Sequence, residues 1–298
     1  MKMNKSIIYI LFLSLVGLLG GCTTTTDTNP ANLITQETID KITAYGNSKK
    51  LTFTRSSDDI FYAVTTANPS GRIPKQYEYV KLYYTYSKLD GTVLDSTATN
   101  QKIPLSMPYL ALNSLLNYVV GFMKEGESAT VVFPSTSAIN EPTVINATLI
   151  STRDENEQIT EYINEKYKGL TFKKTASGLQ YIITKSSAVG DTVKTGKNVN
   201  VSYTGKLLFK NKTRDSNGFP IYTDQFDSGS FSFLVGAGTV VSGFEEAAKL
   251  MKVGDKGMFI FPSTLGYKER GAFNNSTGQY SIPPYSPLLF EMEVTAVK

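Results

Sequence analysis

Histidine and tryptophan are absent from this chain of 298 residues, and cysteine occurs once. Without histidine the chain cannot carry a Ser-His-Asp or Cys-His catalytic centre, and it lacks the commonest ligand of transition metals. A single cysteine excludes an internal disulfide and a cysteine cluster. The net charge is +4, from 30 basic and 26 acidic residues, which is too small to indicate a nucleic-acid surface. These absences favour chemistry that needs no metal and no strong nucleophile, and no cofactor is expected.

The N-terminus has the pattern of an export signal. Lys2 and Lys5 form a basic head, and the apolar run at residues 7–19 is too short for a comfortable membrane span. The run ends in Leu-Gly-Gly-Cys at residues 19–22, which resembles a bacterial lipobox whose cysteine, Cys22, is lipidated and becomes the first residue of the mature protein. The alternative is an ordinary signal peptide followed by an incidental cysteine. Removal of residues 1–21 as a signal peptide would lower the net charge to +2.

Residues 22–34 are rich in threonine and asparagine and predict a flexible tether. Lipid chains on Cys22 would attach this tether to a membrane, and two or more chains make such an anchor stable. Thr23 occupies the position where an inner-membrane retention signal has aspartate. We therefore expect an outer-membrane lipoprotein that faces the periplasm, with exposure at the cell surface as the alternative.

The remainder of the chain contains an internal repeat. Residues 51–86 match residues 170–205 at a constant offset of 119, with Leu-Thr-Phe and Tyr-Thr in register. Farther on, Phe-Pro-Ser at 133–135 matches Phe-Pro-Ser at 261–263 at an offset of 128. Offsets that change only between elements indicate insertions in surface loops. Two copies of this length predict two domains, because a solenoid usually needs three or more shorter repeats.

Each copy, at residues 35–153 and 154–298, predicts an α+β domain in which an antiparallel sheet wraps around a short helix. A helix begins each copy, and strands such as Val199–Tyr203 alternate apolar and polar residues. Between the strands, one segment has apolar residues at i, i+3, i+4 and i+7, starting at Leu116 in the first copy and at Phe244 in the second. Antiparallel strands covered by one helix define the α+β class.

A series of short pieces in the second copy resembles an FKBP-type peptidyl-prolyl isomerase. The pieces are, in chain order, Ser177–Tyr181, Val201–Gly205, Phe226–Ser228, Val240–Glu246, Met251–Asp255, Pro262–Tyr267, Ile282–Pro284 and Phe290–Val294. No single piece is specific, but together they follow the order of the family. In this family a five- or six-stranded antiparallel sheet wraps around a short helix, and a proline pocket lies between them. The resemblance implies an isomerase that acts on proline-containing polypeptides.

This reaction is compatible with the composition. Rotation about an Xaa-Pro bond faces a barrier of about 18–20 kcal/mol, but it breaks no covalent bond. A nucleophile, a metal and a strong base are therefore unnecessary. An apolar pocket disfavours the charge-separated planar amide relative to the twisted transition state, and a few hydrogen bonds can select the twisted geometry.

The resemblance also implies the site residues. The catalytic residues would be Tyr203, Phe226, Asp227 and Tyr267, and the substrate-binding residues would be Phe231, Val240, Val241, Phe244, Ile282 and Phe290. Asp227 would orient polar groups through Tyr203, and the Val241 N–H and the Tyr267 hydroxyl would bind substrate carbonyls. Phe244 stands at the pocket floor, where many family members have tryptophan. For each aromatic residue taken alone, ordinary core packing is the alternative.

The first copy resembles the same fold without its site. Tyr84 and Asp95 remain, but Leu94 replaces Phe226 and Leu116 replaces Phe244. Seventeen residues are also missing before the last strand relative to the second copy. We expect this domain to be inactive and to serve in packing or in holding clients. The alternative is that its similarity to the second copy is partly generic β patterning.

Three functions compete at this point. The first is a membrane-anchored prolyl isomerase that assists the folding of exported proteins, with proline-containing polypeptides and the membrane as partners and no nucleic acid. The second is a non-catalytic chaperone or protein-binding lipoprotein. The third is a surface lipoprotein that captures a ligand with aromatic side chains. The first is favoured because only the second copy retains the full set of pocket residues.

Overall fold

The computed structural model describes residues 34–97, 103–135, 139–214, 220–275 and 278–298. The expected signal peptide, Cys22 and all but the last residue of the expected tether lie outside the described residues. Within the described ranges, no helix combines the length and the apolar character that crossing a membrane requires.

The first unit of the fold begins with a helix and continues as a sheet. Its described elements are, in chain order, α1 (Gln36–Lys49), β1 (Thr54–Arg55), β2 (Phe61–Thr66), β3 (Tyr79–Lys88), β4 (Val93–Ser96), β5 (Leu105–Pro108), α2 (Ser114–Gly121), β6 (Ser128–Phe133) and β7 (Thr143–Arg153). Helix α1 begins where the Thr35 side chain accepts a hydrogen bond from the Thr38 N–H, and it ends at Lys50, which adopts a left-handed conformation.

The second unit repeats this plan with longer strands and an additional hairpin. Its described elements are α3 (Glu155–Lys166), β8 (Lys173–Lys174), β9 (Gln180–Lys185), β10 (Asn198–Arg214), β11 (Pro220–Leu234), α4 (Ser242–Lys249), β12 (Lys256–Phe261), a 3-10 turn (Ser263–Leu265), β13 (Ala272–Asn274), β14 (Gln279–Ile282) and β15 (Leu288–Val297). Helix α3 starts with a capping box, in which the side chains of Asp154 and Glu157 each accept a hydrogen bond from the other residue's backbone N–H.

The two units share one sheet topology. The strand order of the first sheet is β1-β2-β6-β7-β3-β4, with β5 also paired to β3, and that of the second is β8-β9-β12-β15-β10-β11. When each strand is replaced by its counterpart in the other unit, the two orders coincide, and the pairings are antiparallel. The predicted α+β class, with an antiparallel sheet around a short helix in each unit, is confirmed.

Each sheet is covered by helices on both faces. The apolar stripes predicted for the inner helices α2 and α4 are buried in the two main cores; they comprise Leu116, Val119, Val120 and Met123, and Phe244, Ala247, Ala248 and Met251. On the opposite face, Ile42 of α1 and Ile159 of α3 are buried against strand residues of their own units. The helix that precedes each sheet therefore completes a three-layer arrangement.

Two loop differences separate the units. Between the last two strands of the sheet, the first unit has nine residues (134–142), whereas the second has 26 residues (262–287), here called the flap. The flap contains the 3-10 turn and the β13–β14 hairpin. The second difference is the β10–β11 hairpin, which extends as far as Arg214 and Pro220. Both extensions belong to the unit that carries the predicted site.

Helix α3 connects the two units. Its Ile159 packs against Ile260 and Leu289 of the second sheet, and its Glu157 accepts two hydrogen bonds of 2.8 Å from Arg72 of the first unit. One face of this helix is thus apolar and the other carries ion pairs, which attaches it to both units.

Candidate functional site

An open cavity of about 590 Å³ lies between the β10–β11 hairpin, α4 and the flap. It is lined by Tyr203, Phe226, Asp227, Phe231, Gly238, Thr239, Val240, Val241, Phe244, Tyr267 and Phe290. The structure therefore brings nine of the ten implied site residues to one cavity. Gly238 and Thr239 complete the lining, and small residues of this kind give no sequence signal for a pocket.

Ile282 is the implied site residue that does not line this cavity. It is the last residue of β14, where it pairs with Ala272, and its side chain is buried in the core of the second unit. An aliphatic side chain gains more from complete burial in the core than from partial exposure at a rim.

The floor of the cavity is aromatic. Phe244 is 4% exposed, and its ring centroid lies 5.1 Å from that of Phe290 and 5.5 Å from that of Tyr203, with interplanar angles of 83° and 86°. Phe231 lies 5.6 Å from Phe244 at the more exposed edge. The edge-to-face contacts of Phe244 with Phe290 and Tyr203 have a favoured geometry of aromatic pairs, and they fix the orientation of these rings. The result is a preformed apolar surface.

Gly205 makes the aromatic wall possible. A Cβ atom at this position would lie 2.6 Å from the ring of Phe226 and 3.0 Å from that of Phe290, closer than van der Waals contact allows. Gly205 is in β10, opposite Asp227 in β11 and Phe290 in β15. The absence of a side chain there lets two rings from the neighbouring strands meet across the strand.

The polar part of the site is a hydrogen-bonded pair. The Tyr203 hydroxyl donates to Asp227 Oδ2 at 2.6 Å, and Asp227 Oδ1 accepts the Ser228 N–H at 2.8 Å. Burial, together with the neighbouring carboxylate, raises the pKa of Tyr203 to about 12, because a phenolate there would be poorly hydrated and repelled by Asp227. The hydroxyl therefore remains a donor throughout the physiological range.

Two donors at the cavity have no acceptor among the described residues. One is the N–H of Val241, the residue that precedes α4, and the other is the hydroxyl of Tyr267 in the flap. Burial is the main reason that the pKa of Tyr267 is raised, and the charge of Asp227 adds to the effect. Both donors are available to carbonyl oxygens of a bound peptide.

The first unit has a smaller cavity, of about 230 Å³, at the corresponding position. Tyr84 donates to Asp95 Oδ2 at 2.5 Å, which repeats the pair of the second unit, but the floor residue is the aliphatic Leu116. Leu94, the counterpart of Phe226, does not line the cavity and is exposed. Residues of the second unit complete the lining, namely Asn211, Gln279 and Tyr280. This cavity therefore lacks the aromatic wall.

Another cavity, of about 290 Å³, lies between the two units. It is lined mainly by charged and polar side chains, including Lys81, Glu161, Glu165, Lys166 and Asp224. It has neither an aromatic floor nor a tyrosine–aspartate pair, so we assign the site to the aromatic cavity on the chemistry of its residues.

Comparisons with known proteins find one enzyme family. Residues 190–295 match the family model described as FKBP-type peptidyl-prolyl cis-trans isomerase. A probable FKBP-type peptidyl-prolyl cis-trans isomerase of Haemophilus influenzae is 36% identical over 148 residues, which cover 49% of this chain and 53% of that protein. The FKBP-type peptidyl-prolyl cis-trans isomerase FkpA of Aeromonas hydrophila is 31% identical over 59% of each chain.

FK506-binding protein 1 of Gibberella zeae is 32% identical over 120 residues, which cover 39% of this chain and 94% of that protein. The chain thus spans little more than half the length of the two bacterial relatives, but nearly all of this smaller one. It belongs to the family of FKBP-type peptidyl-prolyl cis-trans isomerases.

Proposed function

We propose that this protein catalyses the cis–trans isomerisation of Xaa-Pro bonds in exported polypeptides, and that catalysis takes place in the aromatic cavity of the second unit. The observation that carries the proposal is the convergence of six aromatic rings on one open cavity of about 590 Å³, together with the Tyr203–Asp227 pair and the two donors Val241 N–H and Tyr267 hydroxyl. Uncatalysed exchange at proline takes tens to hundreds of seconds, which is slow enough to limit folding.

The proposed mechanism is selective binding of the twisted amide. Phe244 and Phe290 provide an apolar surface for the proline ring, and they disfavour the charge-separated planar amide relative to the twisted one. The Val241 N–H and the Tyr267 hydroxyl would bind the carbonyl oxygens on either side and hold the backbone during rotation. A gain of about 4–6 kcal/mol corresponds to roughly three to four decades in rate.

Asp227 would act on the substrate indirectly. Its carboxylate accepts hydrogen bonds from the Tyr203 hydroxyl and the Ser228 N–H, and these fix both the tyrosine ring and the edge of the cavity. We assign no proton transfer to it, because bond rotation moves no proton.

The test is proline isomerisation in a short peptide, followed by NMR exchange, with the full chain and two variants of the site. Phe226→Ala removes part of the wall, and Asp227→Leu removes the acceptor of Tyr203; each should lower kcat/KM by about tenfold or more. Leu94→Ala, at the matched position of the first unit, is the control and should leave the rate unchanged. Equal rates for all four proteins would favour a non-catalytic chaperone or protein-binding role.

We also propose that residues 35–153 are a catalytically inactive domain and that residues 154–298 are the isomerase domain.

We further propose that residues 1–21 are removed and that the protein is attached to the outer membrane, on its periplasmic side, through lipid on Cys22. The sequence Leu-Gly-Gly-Cys supports the anchor. Cys22→Ser should move the protein from the membrane fraction to the soluble fraction. If it remains in the membrane fraction, the lipid anchor is wrong.

A further inference from the structure

The start of the flap is attached to the first unit through helix α3. Glu155 at the beginning of α3 accepts two hydrogen bonds from Ser263, 2.6 Å from the backbone N–H and 2.7 Å from the hydroxyl. Two residues later on the same helix, Glu157 binds the guanidinium of Arg72 in the first unit. The first residue of the 3-10 turn is therefore held by a helix that is itself held by the first unit.

The end of the flap contacts the first unit directly. Tyr79 of β3 is 2% exposed, and its hydroxyl donates to the carbonyl of Pro284 at 2.9 Å and shares a 2.6 Å hydrogen bond with the hydroxyl of Ser286. Beside it, the rings of Tyr77 and Tyr285 stack with a centroid distance of 4.4 Å. Burial raises the pKa of Tyr79 above its usual range, so its hydroxyl stays protonated.

Hydrogen bonds within the flap connect these two attachments to the cavity. The Tyr285 N–H donates to the Lys268 carbonyl at 2.8 Å, and the Lys268 N–H donates to the Ser263 carbonyl at 3.0 Å. Lys268 directly follows Tyr267, which lines the cavity. Lys268 and Tyr285 both have φ of 53°, a region that residues other than glycine rarely adopt unless their surroundings hold them there.

We propose that the first unit positions the catalytic flap, and that Tyr79 is the positioning residue through which it holds Tyr267 at the proline cavity. This inference rests on the proposed function. Tyr79 does not line the cavity, so it acts through Ser286, Pro284 and the hydrogen bonds that lead to Lys268. If the flap is ordered for only a fraction of the time, the apparent affinity for substrate is reduced to that fraction of its full value, while bound substrate still reacts normally.

The experiment compares the full-length protein with Tyr79→Phe, which deletes only the hydroxyl. The control is Thr130→Val, which deletes a buried hydroxyl in the first unit that donates to Asn146 at 2.7 Å, away from the flap. NMR exchange with a proline tetrapeptide gives KM and kcat separately. Hydrogen exchange of residues 263–275, followed by mass spectrometry, reports the order of the flap.

We expect Tyr79→Phe to raise KM by roughly threefold to tenfold with kcat nearly unchanged, and to speed exchange in the flap. Thr130→Val should leave KM, kcat and flap exchange unchanged. If both variants behave like the wild type, or if both speed flap exchange equally, the inference is wrong. If the wild type does not catalyse isomerisation, the proposed function fails, and flap exchange still decides whether Tyr79 orders the flap.

Discussion

The floor of the cavity offers the sharpest test of the catalytic proposal. Phe244→Leu gives the second unit the floor residue that the first unit has at Leu116. A proline ring resting on Phe244 would cover about 40 Å² of apolar surface, worth about 1 kcal/mol at about 25 cal/mol per Å². Loss of most of this contact should lower kcat/KM by about fivefold.

The same substitution also affects stability. Phe244 has edge-to-face contacts with Tyr203 and Phe290, and their loss should cost about 1–2 kcal/mol. For a unit of this size, that corresponds to a fall in the melting temperature of about 2–8 °C. Activity must therefore be measured well below the melting transition, where both proteins are folded.

Phe259→Leu is the matched control for the floor variant. Phe259 is fully buried in the same core but does not line the cavity, and its ring lies parallel to that of Tyr181 at 6.1 Å. It should lose similar stability and keep the wild-type kcat/KM in the peptide exchange assay. If Phe244→Leu also keeps the wild-type kcat/KM, the floor has no part in catalysis and the mechanism proposed here is refuted.

Three further predictions concern the wall, the polar pair and the connection between the units. Gly205→Ala should displace the ring of Phe226 and lower kcat/KM by about tenfold. The cost in stability should be only about 1 kcal/mol, because the edge of the ring can move away from the new methyl group. An unchanged kcat/KM would contradict this prediction. Because the pKa of Tyr203 is raised to about 12, its hydroxyl stays protonated above the ordinary tyrosine pKa of about 10. We therefore expect kcat/KM measured from pH 7 to 10 to stay constant. A fall of kcat/KM to half its value near pH 10 would show that the Tyr203 hydroxyl titrates normally. Arg72→Met removes the two hydrogen bonds to Glu157 of α3 and leaves the buried carboxylate of Glu78 without its cation, and it should cost about 2–3 kcal/mol in urea unfolding. A loss below about 0.5 kcal/mol would mean that the ion pairs of Arg72 contribute little.

The inner helix and the sheet could be predicted because their signals are local. The spacing of Phe244, Ala247, Ala248 and Met251 encodes one buried helical face, and all four residues are buried as expected. Strand alternation around Val199–Tyr203 gives the same kind of information for the sheet. The implied site residues came from the order of the family's motifs, which is why nine of ten meet at one cavity.

The extension of the β10–β11 hairpin was not predicted. Its outer part, residues 210–214, is Lys-Asn-Lys-Thr-Arg, which has no apolar alternation. Phe209 contacts Tyr79 of the first unit, with the ring centroids 5.2 Å apart. The residue against which this hairpin packs lies far away in sequence. The residues of the hairpin itself therefore contain no periodic pattern that predicts the extension.

The attachment of the flap to the first unit was not predicted either, and for the same reason. The hydrogen bond from Tyr79 to Pro284 joins residues 205 positions apart, and one chain read alone contains no record of that proximity. The placement of Ile282 depends on the path of the whole flap, which is set by these contacts and by the β13–β14 pairing. The family's motifs predicted which residues line one cavity more readily than they predicted what holds the flap in place.

The tyrosine–aspartate pair occurs in both units with nearly the same geometry, 2.6 Å in one and 2.5 Å in the other. In the first unit the pair persists beside Leu116, although only nine residues (134–142) separate the last two strands there. Its retention there indicates that the pair contributes to joining neighbouring strands irrespective of turnover. The pair therefore does not distinguish the two units of this chain, whereas the aromatic floor and the length of the segment before the final strand do.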